Sequence, residues 1–230
     1  MMGHSHALSG AVTGAAVAEL VLHAPLPEAA ALTVLCAGFA TLPDLDQCGS
    51  TAARSLGFLS EAWAVVVRAV SGGHRHGTHS ILGTAVVTGI VWAAAAYRAH
   101  FPARIVLGLM LALTVAAGLR ALRLAGSHAA DVAGIAAAAA VAWFGLGLGL
   151  LPLACAVGCA THIAGDMLTV EGCPLAWPAS LRDYRVLPRP LAFRAGAWPE
   201  HLIVVPALAV ALLVLAWQAA AVAIPGLPRL

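Results

Sequence analysis

His162-Ile-Ala-Gly-Asp166 puts an imidazole and a carboxylate four residues apart at the end of a long apolar run. On a helix that spacing stacks both side chains on one face. Nitrogen and oxygen donors so placed suit a borderline divalent cation, zinc before manganese. Ionisable groups at membrane depth are costly and normally face an interior site, so the pair reads as functional rather than as a hydrogen bond closing a helix end. Gly165 leaves room beside it. Three other stretches offer matching chemistry. Pro43-Asp44-Leu45-Asp46 carries two carboxylates at i,i+2, which an extended segment would point to one side. His74-Arg75-His76-Gly-Thr-His79-Ser80 brings three imidazoles and a guanidinium fork suited to phosphate. His79 stands at the mouth of the next apolar run and is the expected ligand there, with His76 able to share its face. His4 and His6 cannot both face one side of a helix, and His6, followed by Gly10, is the expected donor. Arg194 and Glu200 close the set. His128 with Asp131 reads as structural.

The elements that must position these residues are membrane spans. Of 230 residues, 61% are hydrophobic and 10% charged, against roughly 25% charged in an ordinary globular domain; mean hydropathy is +0.92. The expected fold class is all-α, a polytopic helical membrane protein, with residues 1–230 forming a single domain. A crossing needs about 20 apolar residues. Seven stretches approach that: 6–22, 28–42, 80–97, 105–122, two within 129–168 divided by the glycine-rich 145–152, and 201–224. Between them, 43–77 and 171–200 read as site-side loops, the first with an amphipathic piece at 62–70. Trp177, Tyr184 and Trp198 in the second suit a headgroup-level belt. The start of the chain has no cationic leader and reads as retained. Five cysteines, mostly within apolar runs, read as small packing residues rather than disulfides or thiolate ligands.

Seven alternating crossings put the N-terminus, PDLD, HRHGTHS, HIAGD and Glu200 on one membrane face. The same face receives Arg54, Arg68, Arg75, Arg123, Arg182, Arg185, Arg189 and Arg194, against Arg98, Arg104 and Arg229 opposite. The positive-inside rule makes that face cytoplasmic. A net charge of only +2, without lysine, argues against nucleic acid as a partner. Ser5-His6 followed by Gly10 and Thr78-His79 followed by Gly83 suggest a shared device, a hydroxyl capping a helix start and setting the imidazole at its mouth.

SHALSG at 5–10, LPDLD at 42–46, HRHGTHS at 74–80, HIAGDMLTVEGCPLAWP at 162–178 and RAGAWPE at 194–200, in that order, resemble the YdjM-type bacterial inner-membrane proteins, predicted membrane-bound metal-dependent hydrolases. That family is distantly similar to zinc-dependent phospholipase C and P1 nuclease. The resemblance implies His6, Asp44, His79, His162 and Asp166 as metal ligands, with Asp46 and Glu200 nearby. The chain departs from those enzymes in lacking an N-terminal Trp and a second histidine-carboxylate pair at helical spacing, so one or two ions are expected. The implied activity is hydrolysis of a phosphoester in a membrane lipid or lipid-linked substrate by metal-activated water. Asp46 or Glu200 would orient or deprotonate the water, and Arg75 and Arg194 would hold the phosphate. A metal or proton transporter, or a non-catalytic membrane scaffold, would use the same cluster differently. A transporter's site would be expected near the midplane.

Overall fold

The computed structural model describes residues 1–144, 148–224 and 227–228. Among them lie eight α-helices and no β-strand: α1 (Gly3–Ala16), α2 (Leu26–Phe39), α3 (Phe58–Val70), α4 (Ile81–Ala96), α5 (Phe101–Ala121), α6 (Ser127–Phe144), α7 (Leu151–Asp166) and α8 (Val205–Ala223). Each apolar stretch of the sequence is helical, and α3 is the amphipathic piece. The helices start where local chemistry favours it. Pro27, Pro102 and Pro152 sit in the first turns of α2, α5 and α7, where a missing N–H costs nothing. The N–H of Gly83 donates to Ser80 Oγ at 3.0 Å, capping α4. The expected break at 145–152 falls partly outside the described residues; within them, Leu148–Leu150 form a 3-10 turn before α7. Arg229 also lies outside them.

Among the described residues, three helices are long and apolar enough to cross a membrane, counting their flanking turns: Leu26–Asp46, Phe101–Ala121 and Glu200–Ala223. α4 is apolar but shorter.

Packing centres on α2, which is wedged between α1 and α7; α4 and α8 close the outside, and α6 rests on α5. Glycines set the approach. A Cβ on Gly10 of α1 would lie 2.4 Å from the carbonyl oxygen of Cys36, and one on Gly158 of α7 would lie 2.6 Å from Phe39 Cβ. Both helices therefore press on the same last turns of α2, as small residues allow where lipid supplies no hydrophobic drive for association. Cys36, Cys155 and Cys159 fill this seam, with sulfur-to-carbonyl contacts of 3.7 Å from Cys36 to Ala154 and from Cys159 to Phe39. They pack as small apolar groups, as expected.

Two local expectations are corrected. Pro43–Asp46 is a 3-10 turn and not extended, so its carboxylates diverge and do not point to one side. The shared capping device is also absent: α1 begins at Gly3 without a side-chain cap, leaving Ser5 and His6 inside the helix, and Ser80, not Thr78, caps α4.

Candidate metal centre

Four helix ends meet at one end of the bundle. His6 lies in the first half of α1, Asp44 and Asp46 follow α2, His79 precedes α4, and His162 and Asp166 occupy the last turns of α7. His6, Asp46, His79, His162 and Asp166 are at most 1% exposed, while Asp44 is 16% exposed.

The ring nitrogens have fixed roles. His162 Nδ1 donates to the carbonyl oxygen of Ala40 at 2.7 Å, which leaves Nε2 as the bare acceptor. Thr78 Oγ1 donates to Asp46 Oδ2, so its lone pair takes the Nδ1 proton of His79 at 2.9 Å and leaves Nε2 pointing at His162. The two Nε2 atoms face each other at 3.1 Å, close enough to share the proton that a metal would displace from His79. Asp44 Oδ1 lies 3.6 Å from His79 Nε2 and 3.7 Å from His162 Nε2, and Asp166 Oδ2 lies 3.7 Å from both. His6 Nε2 is 3.2 Å from Asp166 Oδ1, and its ring stacks on that of His162 with centroids 3.7 Å apart.

Lone pairs and anionic oxygens so crowded repel one another unless something positive, a proton or a metal ion, lies between them. Both nitrogens of His6 and Asp166 Oδ2 are buried without a hydrogen-bond partner, a costly condition in a dry interior. Donors held by one ion at about 2.0–2.2 Å in tetrahedral array stand roughly 3.3–3.6 Å apart, close to the separations here. The residues fit a divalent cation. Three overlapping groups could hold one: His6, Asp44 and His162; Asp44, His74 and His79; and His79, His162 and Asp166. The buried His/Asp cluster could thus hold a metal ion, and all five expected ligands lie within it.

The remaining candidates fall around that core. Asp46 is wholly buried; it accepts from His74 Nδ1 at 2.8 Å, from the Arg75 N–H at 3.1 Å and from Thr78 Oγ1. Arg75, held at φ 60°, reaches Asp166 at 3.5 Å. Glu200 is buried but turned aside, its oxygens taking the N–H groups of Met2 and Gly196, each at 2.7 Å. Arg194 is exposed. His4 stacks on His201, and Asp131 pairs with Arg120. Burial, and then the charge of Asp166, push the Cys173 thiol up to about 12, so it stays protonated.

Sequence reasoning gave Thr78 the role of a helix cap rather than of a link from His79 to Asp46, and missed the Ala40 carbonyl and the Met1 amino group, which contacts Asp166. Thr78 carried a signal in standing next to His79. A backbone carbonyl carries none.

No curated protein and no solved structure matches the chain. The profile of the YdjM inner membrane protein family matches residues 1–225, almost the entire sequence. With its apolar helices, this supports a membrane location. A chain matched over that length, with this helical architecture, belongs to the YdjM inner membrane protein family.

Proposed function

We propose that the protein is a membrane-bound hydrolase that holds one or two divalent cations, zinc most readily, and cleaves a phosphoester in a lipid or lipid-linked substrate. One observation carries this reading: the Nε2 atoms of His79 and His162 face each other at 3.1 Å in a buried pocket that also receives Asp44 and Asp166. When bound, a divalent cation makes water a nucleophile near neutral pH and polarises phosphoryl oxygens. His6, Asp44, His79, His162 and Asp166 would hold it.

The other residues then divide the work. Asp46, through Thr78, and the Ala40 carbonyl fix the two imidazoles so that their acceptor nitrogens point inward. Arg75 reaches towards the phosphate. Asp44, the carboxylate most open to solvent, takes the proton from the attacking water at its outer oxygen. Asp46 and Glu200, whose oxygens are already engaged, act as positioning residues, and exposed Arg194 meets the headgroup from outside. In this reading the seven apolar helices all cross the bilayer, with the site end in the cytoplasm beside the arginine-rich loops. A permeation site would be expected near mid-bilayer; here every ligand belongs to a helix end or the turn beside it, which favours hydrolysis over transport.

Elemental analysis of the purified protein beside Asp166→Ala and Asp166→Asn tests the reading. The wild type is expected to carry stoichiometric metal and both variants to lose it. Metal retained by both variants overturns the site. His162→Ala should stop phospholipid turnover while the protein still folds; loss of folding alone would mark a scaffold, and loss of ion flux a transporter.

A further inference from the structure

Between α4 and α7 a cavity of about 650 Å³ runs along the outside of the bundle. Ile81, Met167 and Leu175 close one end, and Trp92 and Pro152 the other. Its walls are hollowed by small residues, among them Gly89, Ala156 and Ala160, and it has almost no polar surface. Ile81 to Trp92 span about 16 Å of helix at 1.5 Å per residue. That matches one leaflet's share, about 15 Å, of a hydrocarbon core about 30 Å thick.

The closed end adjoins the cluster. Met167 follows Asp166 and Ile163 follows His162, while the Ile81 N–H, two residues past His79, donates to the Leu175 carbonyl at 3.1 Å. Near Asp166, Arg75 Nη1 is buried without a hydrogen-bond partner, with Glu171 3.9 Å from it and Nη2 facing Asp166 at 3.5 Å. The site end thus offers one guanidinium N–H without an acceptor, and the groove offers an apolar trough one leaflet deep. A molecule with an anionic head and a single hydrocarbon chain complements both.

We infer that the α4–α7 groove seats one acyl chain of a membrane lipid and so delivers its phosphate-bearing head to the His/Asp cluster. The inference rests on the lipid-phosphoester reading for what happens to the head, but the seating of the chain stands on the groove. Lipid tails are as apolar as the lining, so close packing in the groove and the Arg75 contact to the head, rather than transfer from water, favour its occupancy. Close packing of one chain along α4 and α7 sets how far the head projects.

The test uses the full chain in nanodiscs of phosphatidylethanolamine and phosphatidylglycerol, with a trace of phosphatidylglycerol bearing a diazirine midway along one acyl chain. After illumination, labelled peptides are mapped. In the wild type, labelling is expected to concentrate on the groove faces of α4 and α7. In Gly89→Leu it should fall to the level of the other lipid-facing helices. Gly89 lines the groove and a Cβ there meets nothing within 4 Å, so the substitution starts from open space. Ala160→Leu fills the groove from the opposite wall and gives the same reading should Gly89→Leu fold poorly. Even labelling of all lipid-facing helices in the wild type overturns the inference, as does labelling that persists in both variants. So does a disulfide between two copies through Ala160→Cys, which would make a second chain the occupant. Metal content separates the two readings: concentrated labelling on a metal-free protein removes the hydrolase and keeps the groove, and scattered labelling on a metal-loaded protein does the reverse.

Discussion

Thr78 ties the ligand His79 to the wholly buried Asp46 through one hydroxyl. Thr78→Val keeps the shape but removes that hydroxyl, leaving the His79 ring free to turn and Asp46 short of a donor. Loss of a partner that orients a metal ligand typically lowers affinity by about 10–100-fold. Titration with zinc should show a loss of that order, and Thr78→Ser should restore most of it. His79 also sets a pH dependence. Burial disfavours its charged form, but Asp44 and Asp46 on either side outweigh burial and raise its pKa to about 9. At neutral pH a metal must therefore displace a proton from His79. Binding is expected to release protons and to strengthen as pH rises towards 9, measurable by calorimetry in buffers of different ionisation enthalpy. Affinity independent of pH between 6 and about 9 would mean that His79 carries no extra proton before the metal binds.

At the scale of elements, the site depends on how closely α1 and α7 approach the end of α2. Gly158 has Phe39 Cβ, the Ala40 N and the Cys36 O all within 3 Å of where a Cβ would stand. Gly158→Ala must push α7 away from α2 and take His162 off the Ala40 carbonyl. Overpacking of this kind costs about 1–3 kcal/mol, so both thermal stability in detergent and metal content should drop. Gly89→Ala, in open space on α4, should stay within about 0.5 kcal/mol of the wild type. Helix propensity favours alanine over glycine in both variants, so a loss confined to Gly158→Ala isolates approach distance, and an equal loss in both would remove it. α3 contributes differently. It buries Ser60 and Ala64 while exposing Phe58, Leu59, Trp63 and Val70, and it packs against the turn bearing Asp44 and Asp46. Such a face suits the bilayer surface.

For the whole molecule, the open question of which side the site faces has a built-in probe. Cys48 is exposed just past Asp46, whereas Cys36, Cys155, Cys159 and Cys173 are buried. With the site end in the cytoplasm, a membrane-impermeant maleimide should label the unmodified protein in inside-out vesicles and leave it unlabelled in intact spheroplasts. The opposite result would assign the arginine-rich loops to a substrate role rather than to orientation. The same site end carries the loop with Tyr184 and Trp198, tied to the start of α4 by the Ile81 N–H donating to the Leu175 carbonyl.

The sequence by itself determined the helices and the donor types. Apolar runs long enough for helices, prolines in first turns and the i,i+4 spacing of His162 and Asp166 are local properties, and local chemistry settles them. It also supplied five histidine and aspartate side chains that converge, because ionisable residues ending apolar segments have few places to go other than a common interior. Only the tertiary structure decided how they divide. Asp44 and Asp46, two residues apart, sit on opposite sides of the His79 ring because their turn is 3-10. Glu200, a plausible base by type, caps backbone N–H groups instead. The orientation of His162 comes from a carbonyl 122 residues away, a contact that exists only because glycines let α7 and α2 touch. Side-chain roles fixed by long-range backbone contacts leave no local trace, which is why they had to be seen in three dimensions.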